Sequence, residues 1–300
     1  MNKLAEAQKA LLNCELSKEE RAKKENEFLK KYYSLREKDE RSVFGRLSLF
    51  QRQKLHRYIL AIYKVKNLLC GFRCELIRDE REFTDRPIIF AVTHVGKFDI
   101  EVVSEAVKEH YYLLSGDYEH LQGTIENLFL NLNGVIYFNE RVKEERKGVL
   151  ERMVKHLSAG GNLMYFPEGT WNLTPNLPVL PCYWGIIETA RQGNAVIIPV
   201  AAEQYGKRFV VNIGRNFDAN QYGGSVEEKA KAITELRDIL ATLKWEIWES
   251  EPSQKRSQVD CKDWDEYVNE RLKEWPYFNR EYIAEMTYQP KGMTSSCIEG

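Results

Sequence analysis

A histidine and an aspartate stand five residues apart in the segment FAVTHVGKFDIEVVSEAV, which covers residues 90–107. A carboxylate beside an imidazole can orient the ring and stabilise its protonated form, as general-base catalysis requires. On a continuous helix with 3.6 residues per turn, the side chains of His94 and Asp99 would point roughly 140° apart and would not touch. The pair therefore requires a bend, and Gly96, between an ending strand and a starting helix, offers one. The bare spacing also occurs in surface loops.

A second polar cluster follows another apolar run, in the segment NLMYFPEGTWN at residues 162–172. Pro167 stops the run, and Glu168, Gly169 and Thr170 come directly after it. Open α/β sheets bind ligands at the carboxyl ends of their strands, so we expect Glu168 to lie at the same edge as His94. Gly169 has no Cβ, which lets a bulky group approach the main chain. Taken alone, this segment also fits an ordinary turn.

The segments that must position these residues alternate between strands and helices. Strand candidates between residues 75 and 215 are RPIIFAVT, YYLLSG, GVIYFN, NLMYFP, AVIIPVAA and RFVVNIG. Several are apolar throughout, as expected for strands covered on both faces, and helical periodicity occupies residues 141–158 and 225–249. The alternation predicts an α/β fold with three layers, α/β/α, around a largely parallel or mixed sheet.

The amino-terminal part is predicted to be helical and unusually basic. Ser17 and Glu20 have the form of a capping box at the start of a charged helix. Residues 41–74 contain eight Lys or Arg residues and no Asp or Glu. The apolar residues that recur there at helical spacing are Leu55, Ile59, Ile62, Val65 and Leu69. Such a basic amphipathic helix either lies in the interface of an anionic bilayer or packs on the core with a solvated basic face.

These patterns predict three regions. Residues 1–74 would form amino-terminal helices, including the basic amphipathic one, residues 75–250 the α/β domain, and residues 251–300 an aromatic-rich extension wrapped on the same core. No stretch is apolar enough for a membrane-spanning helix or a secretion signal, and the long charge-free segment at residues 172–187 contains three prolines.

Composition narrows the classes of function. The chain has 44 Lys and Arg residues against 45 Asp and Glu residues, so it lacks the basic excess expected of a nucleic-acid binder. The six cysteines are scattered, without spacing typical of a zinc site, which favours reduced thiols in a cytoplasmic protein. No metal site is predicted.

The ordered blocks resemble the glycerolipid acyltransferases, the family of lysophosphatidic acid and glycerol-3-phosphate acyltransferases. The blocks are His-x4-Asp at residues 94–99, GVIYFNER at residues 134–141, FPEGT at residues 166–170, and an apolar strand ending at Pro199. The resemblance covers about residues 85–215 and implies the acyltransferase fold.

The resemblance implies transfer of a fatty acyl group from a thioester to a hydroxyl of a lysophospholipid or glycerol phosphate. His94 would be the general base and Asp99 would hold its ring. The thioester, on coenzyme A or acyl-carrier protein, would be a co-substrate, and no cofactor is implied. Residues implied in acceptor binding are Arg141, Lys143, Glu168, Gly169 and Thr170. Such an enzyme is expected in the cytoplasm, peripheral on the inner face of an anionic membrane.

Several positions depart from the family pattern. Trp171 stands where the third block usually has Arg, Thr93 and Gly96 stand where the first block usually has Asn and Ser, and Arg141 comes one residue late. These changes leave open an acyltransferase of the same fold with a non-phosphate acceptor, such as a glycan or an amine-headed lipid. A non-catalytic peripheral membrane protein is the third alternative.

Overall fold

The structure, a computed structural model, describes residues 4, 7, 17–116, 118–139, 142–174, 177–250, 266, 268–270 and 273. The chain divides into two compact units, one made of residues 1–59 with 110–152 and the other of residues 60–109 with 153–300. The predicted carboxy-terminal extension, residues 251–300, lies almost entirely outside the described residues.

Helices and strands alternate along the described chain. In order they are α1 (Lys18–Glu40), α2 (Leu49–Cys70), β1 (Arg73–Asp79), β2 (Ile88–Val92), α3 (Asp99–Val107), β3 (Tyr112–Ser115), α4 (Tyr118–Leu121), α5 (Ile125–Asn133), β4 (Val135–Tyr137), α6 (Lys143–Ser158), β5 (Leu163–Tyr165), α7 (Gly185–Gln192), β6 (Val196–Tyr205), β7 (Arg208–Ile213) and α8 (Val226–Glu249). All six predicted strands are confirmed.

The second unit is built on five strands in the order β1-β7-β6-β2-β5. Only the β6–β7 pair is antiparallel among these, and the other three pairings are parallel. Residues of β2 and β6 are buried along nearly their whole length, which explains the apolar runs of these segments up to Ala202. β6 continues beyond Pro199 to Tyr205, so the prediction that this strand ends at the proline is wrong.

Helices cover both faces of this sheet. Phe209 of β7 lies opposite Cys74 of β1, and the Cys74 thiol donates to the carbonyl of Val102 in α3. The next residue of β7, Val210, lies in a buried cluster with Leu243 of α8. Because consecutive strand residues point to opposite faces, α3 and α8 cover opposite faces of the sheet. The predicted three-layer α/β/α class is confirmed.

The first unit contains the parallel pair β3 and β4 and the helix α1. The predicted capping box is present at the start of α1, where Ser17 and Glu20 hydrogen-bond reciprocally. Phe28 and Tyr32 of α1 pack in a buried cluster with Tyr118 and Tyr137. This aromatic cluster anchors an otherwise highly charged helix.

The predicted basic helix is confirmed as α2, but its faces are arranged differently from the expectation. Its buried residues are Arg52, His56, Ile59, Tyr63 and Asn67. Its large exposed apolar residues, called here the outer face of α2, are Phe50, Tyr58, Ile62, Val65, Leu68 and Leu69. Ile59 is thus buried while Ile62, Val65 and Leu69 are exposed, because the buried stripe follows a different set of three- and four-residue steps.

β1 was not predicted from the sequence. Its segment RCELIRD is charged, and six of its seven residues are exposed because β1 pairs only with β7, at the edge of the five-strand order. Among the described residues, no helix has the length and apolar character needed to cross a membrane.

Candidate active site

Strand register brings the two polar segments to one edge of the sheet. β2 and β5 are parallel, with Ala91 opposite Tyr165. His94 and Glu168 each follow three residues after this pair, so they leave the sheet at the same level. Both therefore lie at the carboxyl edge, where α/β sheets bind ligands.

His94 and Asp99 form the predicted pair. The Nδ1 atom of His94 lies 2.7 Å from Oδ2 of Asp99, and the Asp99 side chain is fully buried while that of His94 is 18% exposed. Because a carboxylate only accepts hydrogen bonds, Nδ1 carries the proton and Nε2 is left with the lone pair of a base. His94 precedes α3 and Asp99 begins it, so the two residues do not share a continuous helix.

Asp99 has contacts besides the imidazole. It is the first residue of α3, and its carboxylate lies in the first turn of that helix. Oδ2 also accepts the buried main-chain N–H of Val95 at 2.7 Å. The other oxygen, Oδ1, is buried and accepts no hydrogen bond from the residues that the structure describes. A single oxygen therefore holds both the ring and the turn.

Glu168 fixes the main chain around the histidine. Its Oε1 accepts the N–H of His94 at 2.9 Å, and its Oε2 accepts the N–H of Leu180 at 2.7 Å. The side chain has no exposed surface. Burial raises the pKa of Glu168 to about 7, although the two N–H groups and the positive charge of Lys244 act in the opposite direction. The carboxylate thus joins two separate segments.

The turn after β5 holds His94 from the other side as well. The N–H of Asn172 donates to the carbonyl of His94 at 2.7 Å. The imidazole stacks on the ring of Phe166 with 4.1 Å between centroids, and the indole of Trp171 meets it edge-on at 6.0 Å. Trp171 is itself buried. The ring orientation is therefore set by aromatic packing in addition to Asp99.

Gly169 has a backbone conformation that residues with a Cβ adopt only with strain. Its φ is +67°, and a Cβ built there would lie 2.6 Å from the ring of Tyr183. The N–H of Tyr183 donates to the carbonyl of Pro167, which keeps the ring over the glycine. Gly169 is exposed and Thr170 is partly exposed. The exposed main chain of this turn thus lies close to a half-exposed tyrosine ring.

The structure brings together His94, Asp99 and Glu168, with Gly169 and Thr170 on the turn that continues from Glu168. Arg141 lies outside the described residues. Lys143 is the exposed first residue of α6, in the unit made of residues 1–59 and 110–152. Among the described residues, no group of three or more His, Cys, Asp or Glu side chains is placed to hold a metal ion.

Several contributors to the site were not predicted from the sequence. The sequence marks Phe166 as the end of a strand and the first residue of the FPEGT block, without indicating that its ring stacks on His94, and Asn172 and Leu180 act through main-chain N–H groups. A main-chain donor leaves no signal in residue type, so Asn172 and Leu180 were not predictable in these roles.

Two sequence comparisons relate part of this chain to known acyltransferases. The sequence model of the family described as Acyltransferase matches residues 74–203. The 1-acyl-sn-glycerol-3-phosphate acyltransferase of Saccharomyces cerevisiae is 24% identical in an alignment 159 residues long, and the alignment covers 51% of this chain and 51% of the yeast protein. The chain thus spans about half the length of that curated relative.

The fold is similar to a solved structure. The crystal structure of the 1-acyl-sn-glycerophosphate (LPA) acyltransferase PlsC from Thermotoga maritima aligns with a TM-score of 0.54 and 16% sequence identity. The alignment covers 71% of this chain and 86% of the bacterial one. At this identity the likeness concerns the fold.

Proposed function

We propose that the chain transfers a fatty acyl group from an acyl thioester to a hydroxyl of a lysophospholipid or glycerol phosphate, because residues 74–203 match the sequence model of the acyltransferase family. The activity resembles that of 1-acylglycerol-3-phosphate O-acyltransferases. The observation that carries the proposal is the His94–Asp99 pair, at 2.7 Å, on the carboxyl edge of the sheet. Acyl-CoA or acyl-carrier protein supplies the thioester.

His94 acts as the general base. Its Nε2 takes the proton of the acceptor hydroxyl while the hydroxyl oxygen attacks the thioester carbonyl. The tetrahedral intermediate then collapses, the C–S bond breaks, and the thiolate takes the proton back from the imidazolium. The negative charge of Asp99 stabilises the imidazolium between the two proton transfers. The acyl group moves directly from sulfur to oxygen.

Arg141 and Lys143 are proposed to bind the acceptor phosphate. A guanidinium can form two parallel, charge-assisted hydrogen bonds to a phosphate, and an ammonium adds a nearby positive charge. Gly169 and Thr170 are proposed to line the acceptor side, since Gly169 exposes main chain at the turn beside the histidine. Glu168 is buried on main-chain donors, so its proposed contribution to the acceptor side is through the turn that it holds.

The outer face of α2 is proposed to rest on an anionic membrane, with the protein peripheral on the cytoplasmic side. Ile62, Val65 and Leu69 are 45%, 57% and 82% exposed, which is costly in water and favourable in a lipid interface. Exposed basic residues beside them, Lys54, Arg57 and Lys64, suit anionic headgroups. An interfacial location gives the enzyme access to acceptors that reside in a bilayer.

The reaction is tested by thiol release from an acyl-CoA in the presence of lysophosphatidic acid. We expect lysophosphatidic acid to stimulate release above the acceptor-free rate, and His94→Ala to lower the stimulated rate by about 10²- to 10⁴-fold. His120→Ala, which removes a histidine elsewhere in the chain, serves as the matched control and should retain activity.

Two outcomes contradict the proposal. Full turnover in folded His94→Ala removes this residue as the base. Stimulation by a glycan or an amine-headed lipid, with no response to lysophosphatidic acid, refutes the phosphate acceptor and supports the alternative favoured by the Trp171 departure.

A further inference from the structure

Helix α8 lies beyond the residues matched by the family, yet it contacts the main chain that holds His94. It spans Val226–Glu249 and begins with a capping box formed by Ser225 and Glu228. Leu236, Leu240 and Ile247 are fully buried and fix its apolar face. Two long basic residues on this helix, Arg237 and Lys244, reach inward and have no role in the proposed reaction.

Arg237 is the first link between α8 and the site. Its guanidinium donates to the carbonyls of Val179 and Leu180 at 3.1 and 3.2 Å. The N–H of the same Leu180 donates to Glu168, whose other oxygen accepts the N–H of His94. Three consecutive hydrogen-bonded steps therefore connect the helix to the backbone of the base.

Lys244 is the second link. It is 1% exposed, forms an ion pair with Glu203 at 3.3 Å, and donates to the carbonyl of Ala202. Ala202 also exchanges hydrogen bonds with the hydroxyl of Thr93 through both its N–H and its carbonyl. Thr93 immediately precedes His94 in the chain. Lys244 thus holds the residue of β6 that fixes the end of β2.

We propose that α8 is a brace for the catalytic turn, in which Arg237 and Lys244 are positioning residues for His94. Arg237 acts through Leu180 and Glu168, and Lys244 acts through Ala202 and Thr93. The brace explains why a helix outside the matched domain carries a buried cation. It predicts that loss of either side chain lowers the rate of the chemical step more than it weakens substrate binding.

Lys244 has an additional electrostatic effect on Glu168. The titratable groups around this carboxylate are Lys244, which is paired with Glu203, and His94, which is paired with Asp99. Burial raises the pKa of Glu168, and the charge of Lys244 lowers it. Both oxygens of Glu168 accept main-chain N–H groups, an arrangement suited to the ionised form. Without Lys244, Glu168 stays protonated to a higher pH, and over that range one of its two oxygens carries a proton and no longer holds its main-chain N–H as a carboxylate oxygen does.

The kinetic test rests on the proposed acyl transfer and uses the full chain with acyl-CoA and lysophosphatidic acid. Arg237→Met and Lys244→Met are each expected to lower kcat at least tenfold, with KM for the thioester within twofold. The acidic limb of the kcat profile should move to higher pH in Lys244→Met and stay in place in Arg237→Met. Lys231→Met removes an exposed lysine from the same helix and should change neither quantity.

Removal of Lys244 alone leaves Glu203 buried without its cation, which threatens folding. The double variant Lys244→Met with Glu203→Gln removes both charges and should fold while keeping the shifted acidic limb. Folding is checked by circular dichroism. Unchanged kcat and pH profile in the folded double variant and in Arg237→Met would refute the brace, as would a rise in KM at constant kcat.

A measurement of the histidine resonances by NMR tests the brace independently of the proposed reaction. The chain has five histidines, so the imidazole resonances of the labelled protein can be assigned with His94→Ala. The His94 resonance should shift in Arg237→Met and in the double variant, and stay unchanged in Lys231→Met. A shift in protein that is inactive with every acceptor refutes the proposed reaction and supports the brace. A resonance that does not move refutes the brace even in active protein.

Discussion

Asp99→Asn separates the charge of Asp99 from its hydrogen bonds. The two side chains have the same shape, and Oδ2 of Asp99 accepts both the imidazole Nδ1–H and the N–H of Val95. Asparagine has one oxygen and one NH2 group, so the question is which of them takes the place of Oδ2. The main-chain N–H of Val95 can only donate.

The N–H of Val95 decides the orientation of the amide. With NH2 in the place of Oδ2, two donors would face each other and a buried N–H would lose its acceptor, at a cost of about 1 to 3 kcal/mol. With oxygen there, both hydrogen bonds remain and NH2 takes the place of Oδ1. The Asp99→Asn variant should therefore keep Nδ1 of His94 protonated and leave Nε2 free to act as the base.

The expected loss of activity comes from replacing a charged hydrogen-bond acceptor by a neutral one next to the imidazolium that forms in the reaction. That difference is about 1 to 3 kcal/mol, which corresponds to a fall in kcat of roughly 5- to 150-fold. An amide that reverses the tautomer of a catalytic histidine instead costs about 10⁴-fold. Thiol release with acyl-CoA and lysophosphatidic acid, measured on protein shown to be folded, distinguishes these values.

Asp99→Ala is the matched comparison, because it removes both hydrogen bonds and leaves the N–H of Val95 without this acceptor. It should lose more activity and more stability than Asp99→Asn. A loss of about 10⁴-fold or more in Asp99→Asn would show that the tautomer is reversed. Unchanged activity would show that the charge of Asp99 makes no contribution.

Three further predictions concern Glu168, Gly169 and α2. The folded pKa of Glu168, about 7, lies above its ordinary 4.5, so folded protein binds the extra proton between these values and stability falls as pH rises through them. We expect the free energy of unfolding of the wild type, measured by urea denaturation, to fall by up to about 3 kcal/mol between about pH 5 and pH 8, relative to that of Glu168→Gln. Gly169 and Gly123 both have positive φ, but only a Cβ at position 169 would meet a ring, that of Tyr183. Gly169→Ala should therefore destabilise the fold by more than Gly123→Ala, whose cost is roughly 1 kcal/mol, and should lower Tm further. Charge reversal of three basic residues of α2 should weaken binding to anionic liposomes, measured by sedimentation, by at least about 3 kcal/mol, because about 1 kcal/mol of attraction is lost per residue and repulsion is added. These residues are Lys54, Arg57 and Lys64.

Each of these measurements has an outcome that contradicts it. Parallel stability profiles of wild type and Glu168→Gln would mean that Glu168 does not titrate in this range. Equal losses in Gly169→Ala and Gly123→Ala would mean that the contact with Tyr183 adds no cost. Liposome binding that survives charge reversal on α2, and that falls instead on reversal of Lys18, Lys23 and Lys24 of α1, would move the membrane surface away from α2.

The catalytic side chains were easier to predict from the sequence than the main-chain contacts that hold them in place. His94 and Asp99 were predicted because their spacing and the following FPEGT block are made of side chains with known chemistry. The register of β2 and β5 follows from two apolar segments, and it places His94 and Glu168 level. Leu180 was not predictable, since its contribution is one main-chain N–H supplied from twelve residues beyond Glu168.

The orientation of α2 shows a different limit. Apolar residues occur on two sides of this helix, so their spacing predicts a helix without saying which side is buried. Tertiary contacts select the stripe with Arg52 and Asn67, where Arg52 donates to main-chain carbonyls and Asn67 donates to Glu105. The buried stripe of α2 thus combines specific polar contacts with the apolar side chains of Ile59 and Tyr63, and Ile62, Val65 and Leu69 are left exposed.

A glutamate suits position 168 because two main-chain N–H groups donate hydrogen bonds there. Two N–H groups from separate segments, those of His94 and Leu180, point at the two ends of one buried side chain. A glutamine offers one accepting oxygen and would direct its own NH2 at the other N–H, whereas a carboxylate accepts at both ends. Burying that carboxylate raises its pKa to about 7, which corresponds to about 3 kcal/mol of cost in the ionised form. A cation on α8 reduces this cost, so the glutamate and Lys244 are best understood as one arrangement that holds the backbone of the base.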